Sequence, residues 1–185
     1  MLVRLKYCAL ILCFGGISIS WGFSQEIQQD SIPVVQDSLA LATNDSLSLP
    51  NGQKNQKIDR LISYAKEFLG TPYRYAGTSP SGFDCSGFIY YIMGHIGIPV
   101  TRTSYGLAEL GQNILLKDIQ PGDLMFFKGR NLKSSRVGHV ALVVDVSETQ
   151  IMFIHASSSR GVVIDNFKTS KYYIPRYIKT KRLNY

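Results

Sequence analysis

Most of the chemistry available to this chain rests on one sulfur, three imidazoles and a few polar neighbours. Cys85 stands in the run Asp84-Cys85-Ser86-Gly87-Phe88. Phe88, Ile89, Ile92, Met93 and Ile96 follow at helical spacing, so Asp84 is placed to cap a helix and Cys85 falls in its first turn. The unpaired N–H groups and positive dipole end at such a position favour a thiolate over a thiol. A free cysteine, with a pKa of about 8.5, is only slightly ionised at neutral pH, and a drop of about two to three units makes the anion the resting form. The Asp84 carboxylate opposes that drop unless its capping bonds or a substrate amine absorb its charge. Gly87 weakens the helix by ~1 kcal/mol relative to alanine, which points to another backbone packed against it.

A cysteine nucleophile needs a base. His95 lies ten residues along the same helix, about 15 Å away, and is read as a solvated residue near the helix end. His139 and His155 both fall in strand-like segments. His139, preceded by Gly138 with room to approach the helix end, is the candidate to take the thiol proton and deliver it to a leaving amine. His155 is the candidate to bond the far nitrogen of that ring and fix its tautomer. Cys, His and His with a water can also hold zinc, but no Cys-x-x-Cys or His-Glu pair accompanies them. No metal and no cofactor is expected.

The elements that must position these groups follow from hydrophobic periodicity. Ile58, Leu61, Ile62, Ala65, Phe68 and Leu69 predict a helix ended by Gly70, and Thr71 to Phe83 reads as a loop. The helix that starts near Cys85 is closed by Pro99, and a short helix is expected from Ser104 to Leu110. Strands are predicted at Leu124 to Phe127, His139 to Val146, Ile151 to Ala156, Val162 to Phe167 and Tyr177 to Leu183. The His139 strand is apolar on both faces, as a central strand would be. Helices first and a sheet afterwards make an α+β domain.

The first 24 residues have a basic start, an apolar run from Cys8 to Ile19, and small residues at Gly22 and Ser24. That is the pattern of a signal peptide, with no membrane span left after processing and a destination in the periplasm or cell envelope. Residues 25–53 hold no Lys, Arg or aromatic residue and read as a flexible linker. Residues 54–185 are the folded domain, with 18 Lys and Arg against nine Asp and Glu. Of the three cysteines, two lie in the signal segment, so the mature chain keeps one thiol and no internal disulfide. An exported basic domain suits an anionic wall polymer, and no nucleic acid partner is expected. A monomer is expected.

Asp84-Cys85-Ser86-Gly87-Phe88, Pro121-Gly122-Asp123-Leu124, Val137-Gly138-His139-Val140 and Phe153-Ile154-His155-Ala156-Ser157 together resemble, in order, the motifs of the NlpC-type cell-wall cysteine peptidases. The end of the chain looks especially like the Spr-type murein endopeptidases. The resemblance implies a compact papain-like fold with catalytic Cys85, His139 and His155. It also implies a tyrosine beside the thiol, matched by Tyr73, and cleft residues matched by Asp84 and Ser86. Thr101-Arg102-Thr103-Ser104 resembles a further family motif of unassigned role. The implied substrates are peptidoglycan stem peptides containing D-amino acids and diaminopimelate. An amidase or acyltransferase on the same scaffold, or a wall-binding module without turnover, are the alternatives.

Overall fold

The computed structural model describes residues 51–184. The signal segment and residues 25–50 of the expected linker lie outside them. Helix α1 spans Asn51–Lys66, so it begins three residues before the domain boundary read from composition. It buries Leu61, Ile62 and Ala65. It also stops short of the expected end: residues 67–70 form a tightened turn whose N–H groups bond three residues back, from Glu67 to Tyr64 and from Phe68 to Ala65. Phe68 still packs on the core from that turn, whereas Leu69 is exposed.

The segment expected as a loop before Cys85 contains a small hairpin, β1 (Thr78–Ser79) and β2 (Gly82–Phe83). Helix α2 (Cys85–His95) follows, then a single turn, α3 (Ser104–Leu107), shorter than expected and capped by Thr103, whose Oγ1 accepts from Gly106 N–H. Next come β3 (Gln112–Ile114), β4 (Leu124–Lys128), β5 (Val137–Val146), β6 (Ile151–Ser157), β7 (Gly161–Asn166) and β8 (Tyr177–Arg182). These six form one antiparallel sheet in the order β3-β8-β4-β5-β6-β7, which puts β5 in the interior. Phe167, expected as strand, opens a 3₁₀ turn instead.

Alternation along the strands separates two cores. Phe126, Val140, Leu142, Ile154 and Ala156 face α1 and α2. Met125, Phe127, Ala141, Val143 and Phe153 form the other face with Phe167 and Tyr173. Leu142 pairs with Ile154, so His139 and His155, each an odd number of residues away, fall together on the second face. A buried Asp123 in the turn before β4 binds Arg182 Nε at 2.7 Å and Nη2 at 2.8 Å, tying β8 to the sheet centre.

Candidate active site

Cys85 begins α2 as expected from its cap. Asp84 is extended (φ −91°, ψ 175°), and its Oδ1 accepts from Gly87 N–H at 2.7 Å. The same carboxylate takes much more than a capping bond. Arg102 Nη1 donates to Oδ1 at 3.0 Å, Nη2 donates to Oδ2 at 2.7 Å, and Ser86 Oγ donates to Oδ1 at 3.3 Å. Arg102 also donates to Ser86 Oγ at 2.9 Å and reaches the Gly77 carbonyl. The Thr-Arg-Thr-Ser motif thus supplies a clamp, and a bidentate guanidinium rather than a substrate amine meets the Asp84 charge. Asp84 and Ser86, expected in the substrate cleft, sit in this cluster and are absent from the cleft lining.

The close approach inferred from Gly87 is present. A Cβ there would stand 2.0 Å from the Gly77 carbonyl oxygen, so only glycine lets the loop before β1 cross the helix start. Gly138 does something other than expected. A Cβ on it would meet Gly129 at 2.7 Å, so its bareness serves the neck of the β4–β5 hairpin and not an approach to α2.

A cleft of about 520 Å³ brings Cys85, His139 and Tyr73 together with Asp165, Arg160 and Tyr173. Tyr73 is held by its backbone. Gly70 N–H donates to Val162 O, Val162 N–H donates to Thr71 O, and Tyr73 bridges to Phe83. Its hydroxyl pKa is raised by burial first, then by the nearness of Cys85, so it remains a neutral donor. Sequence reasoning gave His139 and His155 but missed what lies behind them. His139 Nε2 and His155 Nδ1 are 3.1 Å apart, and His155 Nε2 is 3.0 Å from Asp165 Oδ2. Asp165 in turn accepts two bonds from Arg160. His155 pairs across the sheet with Val163, and Asp165 is two residues further on the same face. That register was the available signal.

This chain of contacts decides the tautomers. A carboxylate only accepts, so His155 carries its proton on Nε2 and leaves Nδ1 as an acceptor. His139 must then donate from Nε2, which leaves its Nδ1 lone pair as the base. The ring is held by packing as well. Tyr173 lies nearly parallel to it, with centroids 5.9 Å apart, and Phe127 is tilted against it. Tyr173 is buried, and its hydroxyl reaches both His155 nitrogens at 3.4–3.5 Å.

Burial, then the neighbouring His155, pushes the His139 pKa down to about 3. Burial likewise lowers His155, against the pull of Asp165. The His155 bond, with help from Arg160, holds Asp165 well below the usual carboxylate range. The Cys85 thiol is pushed up by burial and then by Asp84, while backbone groups of Val140, Ser86 and Cys85 itself act the other way. The expectation of a resting thiolate is therefore corrected: a buried sulfur loses more from desolvation than a helix end returns. The unliganded site pairs a thiol with a neutral imidazole.

His95 is exposed and stacks on Tyr64 with centroids 3.6 Å apart, remote from this cleft. Among the described residues, no group of three or more His, Cys, Asp and Glu is arranged to hold a metal ion. None of their helices is long and apolar enough to cross a membrane.

A thiol at a helix start facing an oriented imidazole from an antiparallel sheet is the constellation of thiol-dependent acyl transfer. Residues 70–182 match the NlpC/P60 family, and the chain belongs to that family. It is 39% identical over 95 residues to a probable endopeptidase NlpC of Escherichia coli, covering 51% of this chain and 58% of that one. It is 32% identical over 124 residues to a γ-DL-glutamyl hydrolase of Bacillus subtilis, covering 66% of this chain and 29% of that one. An NlpC/P60 family protein from Bacillus cereus, solved by crystallography, superposes with a TM-score of 0.62 at 36% identity, over 69% of this chain and 40% of that one. The chain spans from 29% to 62% of the length of the curated relatives it matches.

Proposed function

We propose that this protein is a cysteine peptidase that hydrolyses stem peptides of bacterial peptidoglycan outside the cytoplasm. The observation that carries the reading is the bonded series His139–His155–Asp165, which ends in a cleft shared with Cys85. Relatives named as peptidoglycan endopeptidases and as a γ-D-glutamyl-L-lysine dipeptidyl-peptidase support the substrate class.

Cys85 Sγ attacks the scissile carbonyl as its proton passes to His139 Nδ1. The charge that appears on the imidazole is met through His155 by Asp165. The oxyanion is bound by the Cys85 backbone N–H at the helix start and by the Tyr73 hydroxyl. His139 then protonates the leaving amine, giving a thioester. A water deprotonated by His139 attacks that thioester, releasing the acid and restoring the thiol. Asp84, Ser86 and Arg102 hold the helix start in place for this chemistry. His155, with one nitrogen on His139 and the other on Asp165, has no lone pair left for a metal.

Purified wall sacculi incubated with the full chain should release fragments whose masses show split peptide stems. The Cys85→Ala variant, melting like the parent, should release none. Equal release by both proteins overturns the reading. Fragments with intact stems would point to an amidase on the same scaffold.

A further inference from the structure

Three cations line the cleft, and two of them are engaged. Arg160 is paired with Asp165, and Lys128 Nζ donates to the Leu132 carbonyl at 2.9 Å. Arg130 has no ion pair or side-chain hydrogen bond with any described residue. Its charge nonetheless reaches the Tyr73 hydroxyl, which it pulls toward the ionised form against the larger effect of burial. Arg130 therefore stands on the cleft wall close to the reacting groups.

Its backbone is ordered. The β4–β5 connection, Gly129-Arg130-Asn131-Leu132-Lys133-Ser134-Ser135-Arg136, carries three bases and no acid. The Gly129–Gly138 contact closes its neck too tightly for a side chain on Gly138. Lys128 bonds across it, and Asn131 Oδ1 accepts from Lys133 N–H at 3.0 Å. The one acid lining the cleft, Asp165, has both oxygens taken by Arg160 and His155. The open cleft thus presents a positive field with one guanidinium fork to spare.

We propose that Arg130 binds a free carboxylate on the acyl side of the scissile bond, the α-carboxylate of a γ-linked glutamyl residue. This rests on the peptidase reading above. A γ-glutamyl amide differs from an ordinary peptide in leaving its α-carboxylate free, four bonds from the acyl carbon. A carboxylate so placed lies within the cleft when the carbonyl sits at Cys85, and a guanidinium matches it bidentately. Two matched relatives carry γ-glutamyl substrates in their names.

The test uses two synthetic peptides with the same γ-D-glutamyl amide, one with a free α-carboxylate and one with an α-carboxamide. The full-length protein should prefer the carboxylate by roughly 10- to 100-fold in kcat/KM, the factor a charge-assisted hydrogen bond supplies. In Arg130→Gln that ratio should fall toward one, mainly through KM, and Arg130→Glu should favour the carboxamide. The ratio is blind to any loss of folded enzyme, since both peptides meet the same preparation. A wild-type ratio near one, or one that Arg130→Gln leaves unchanged, overturns the proposal. If neither peptide is cut while sacculi are digested in a Cys85-dependent way, the carboxylate assignment falls and the peptidase reading stands. If nothing is digested, both fall.

Discussion

Replacing Asp165 with asparagine removes one charge and leaves the shape intact, yet it should cripple the site. In the parent, Asp165 Oδ2 accepts from both His155 Nε2 and Arg160, while Oδ1 accepts from Arg160 Nη1 at 3.0 Å. An amide cannot serve all three donors, because either placement of its NH₂ sets donor against donor at Arg160. If the NH₂ turns toward His155, the tautomer series reverses and His139 keeps its proton on Nδ1, where a base is needed. The smaller consequence is electrostatic. The carboxylate lies about 8 Å from the His139 ring, and at an effective dielectric of about 20 that is worth roughly 2 kcal/mol to the imidazolium of the transition state. Loss of the charge alone therefore costs about 30-fold in kcat/KM. Full tautomer reversal approaches the ~10⁴-fold loss seen for the equivalent change in a serine triad. The assay is steady-state cleavage of a wall peptide at neutral pH, with thermal melting to confirm folding. A folded Asp165→Asn enzyme working within about threefold of the parent would refute the reasoning, since 2 kcal/mol is far larger than that.

Other outcomes follow from single contacts. Ala76 has φ 58°, a left-handed conformation that costs a residue with a Cβ about 1 kcal/mol, so Ala76→Gly should raise the melting temperature by roughly 2–4 °C. Gly87→Ala drives a methyl to 2.0 Å from the Gly77 carbonyl and should destabilise by about 3 kcal/mol, read by denaturant unfolding. The acid limb of kcat/KM should lie well below pH 6, since His139 is pushed down to about 3; an inflection near 6.5 would contradict the burial argument. The same lowered pKa makes the unfolded chain the better proton acceptor below about 6.5. Stability should then drop between pH 7 and pH 5 by up to about 2 kcal/mol from His139 alone.

Several features were legible in the residues because short-range rules govern them. Asp84 could be read as a cap, Cys85 as the first residue of α2, and Gly87 as a point of backbone crossing, since each depends on neighbours within four positions. The interior place of β5 followed from its apolar run. Elements set by distant partners were not readable. β3 is polar and exists only because β8 offers it an edge. Helix α1 stops early because Gly70 turns to bond Val162 on β7. Asp165 looked like any strand-end acid until the β6–β7 register placed it beside His155. Asp84 was taken for a cleft residue because nothing local announces Arg102, 18 positions later, as its partner. The resting state of the thiol was misjudged for the same reason, since burial of Cys85 is a property of the assembled fold.

Nitrogen-15 NMR of the imidazoles in the full-length protein, without substrate at pH 6.5, reads the tautomers directly. Both buried rings should be neutral, with the proton on Nε2 of His139 and on Nε2 of His155, and with Nδ1 of each unprotonated. A doubly protonated His139 at that pH, or a neutral ring with its proton on Nδ1, would contradict the arrangement by which Asp165 aims a bare nitrogen at Cys85.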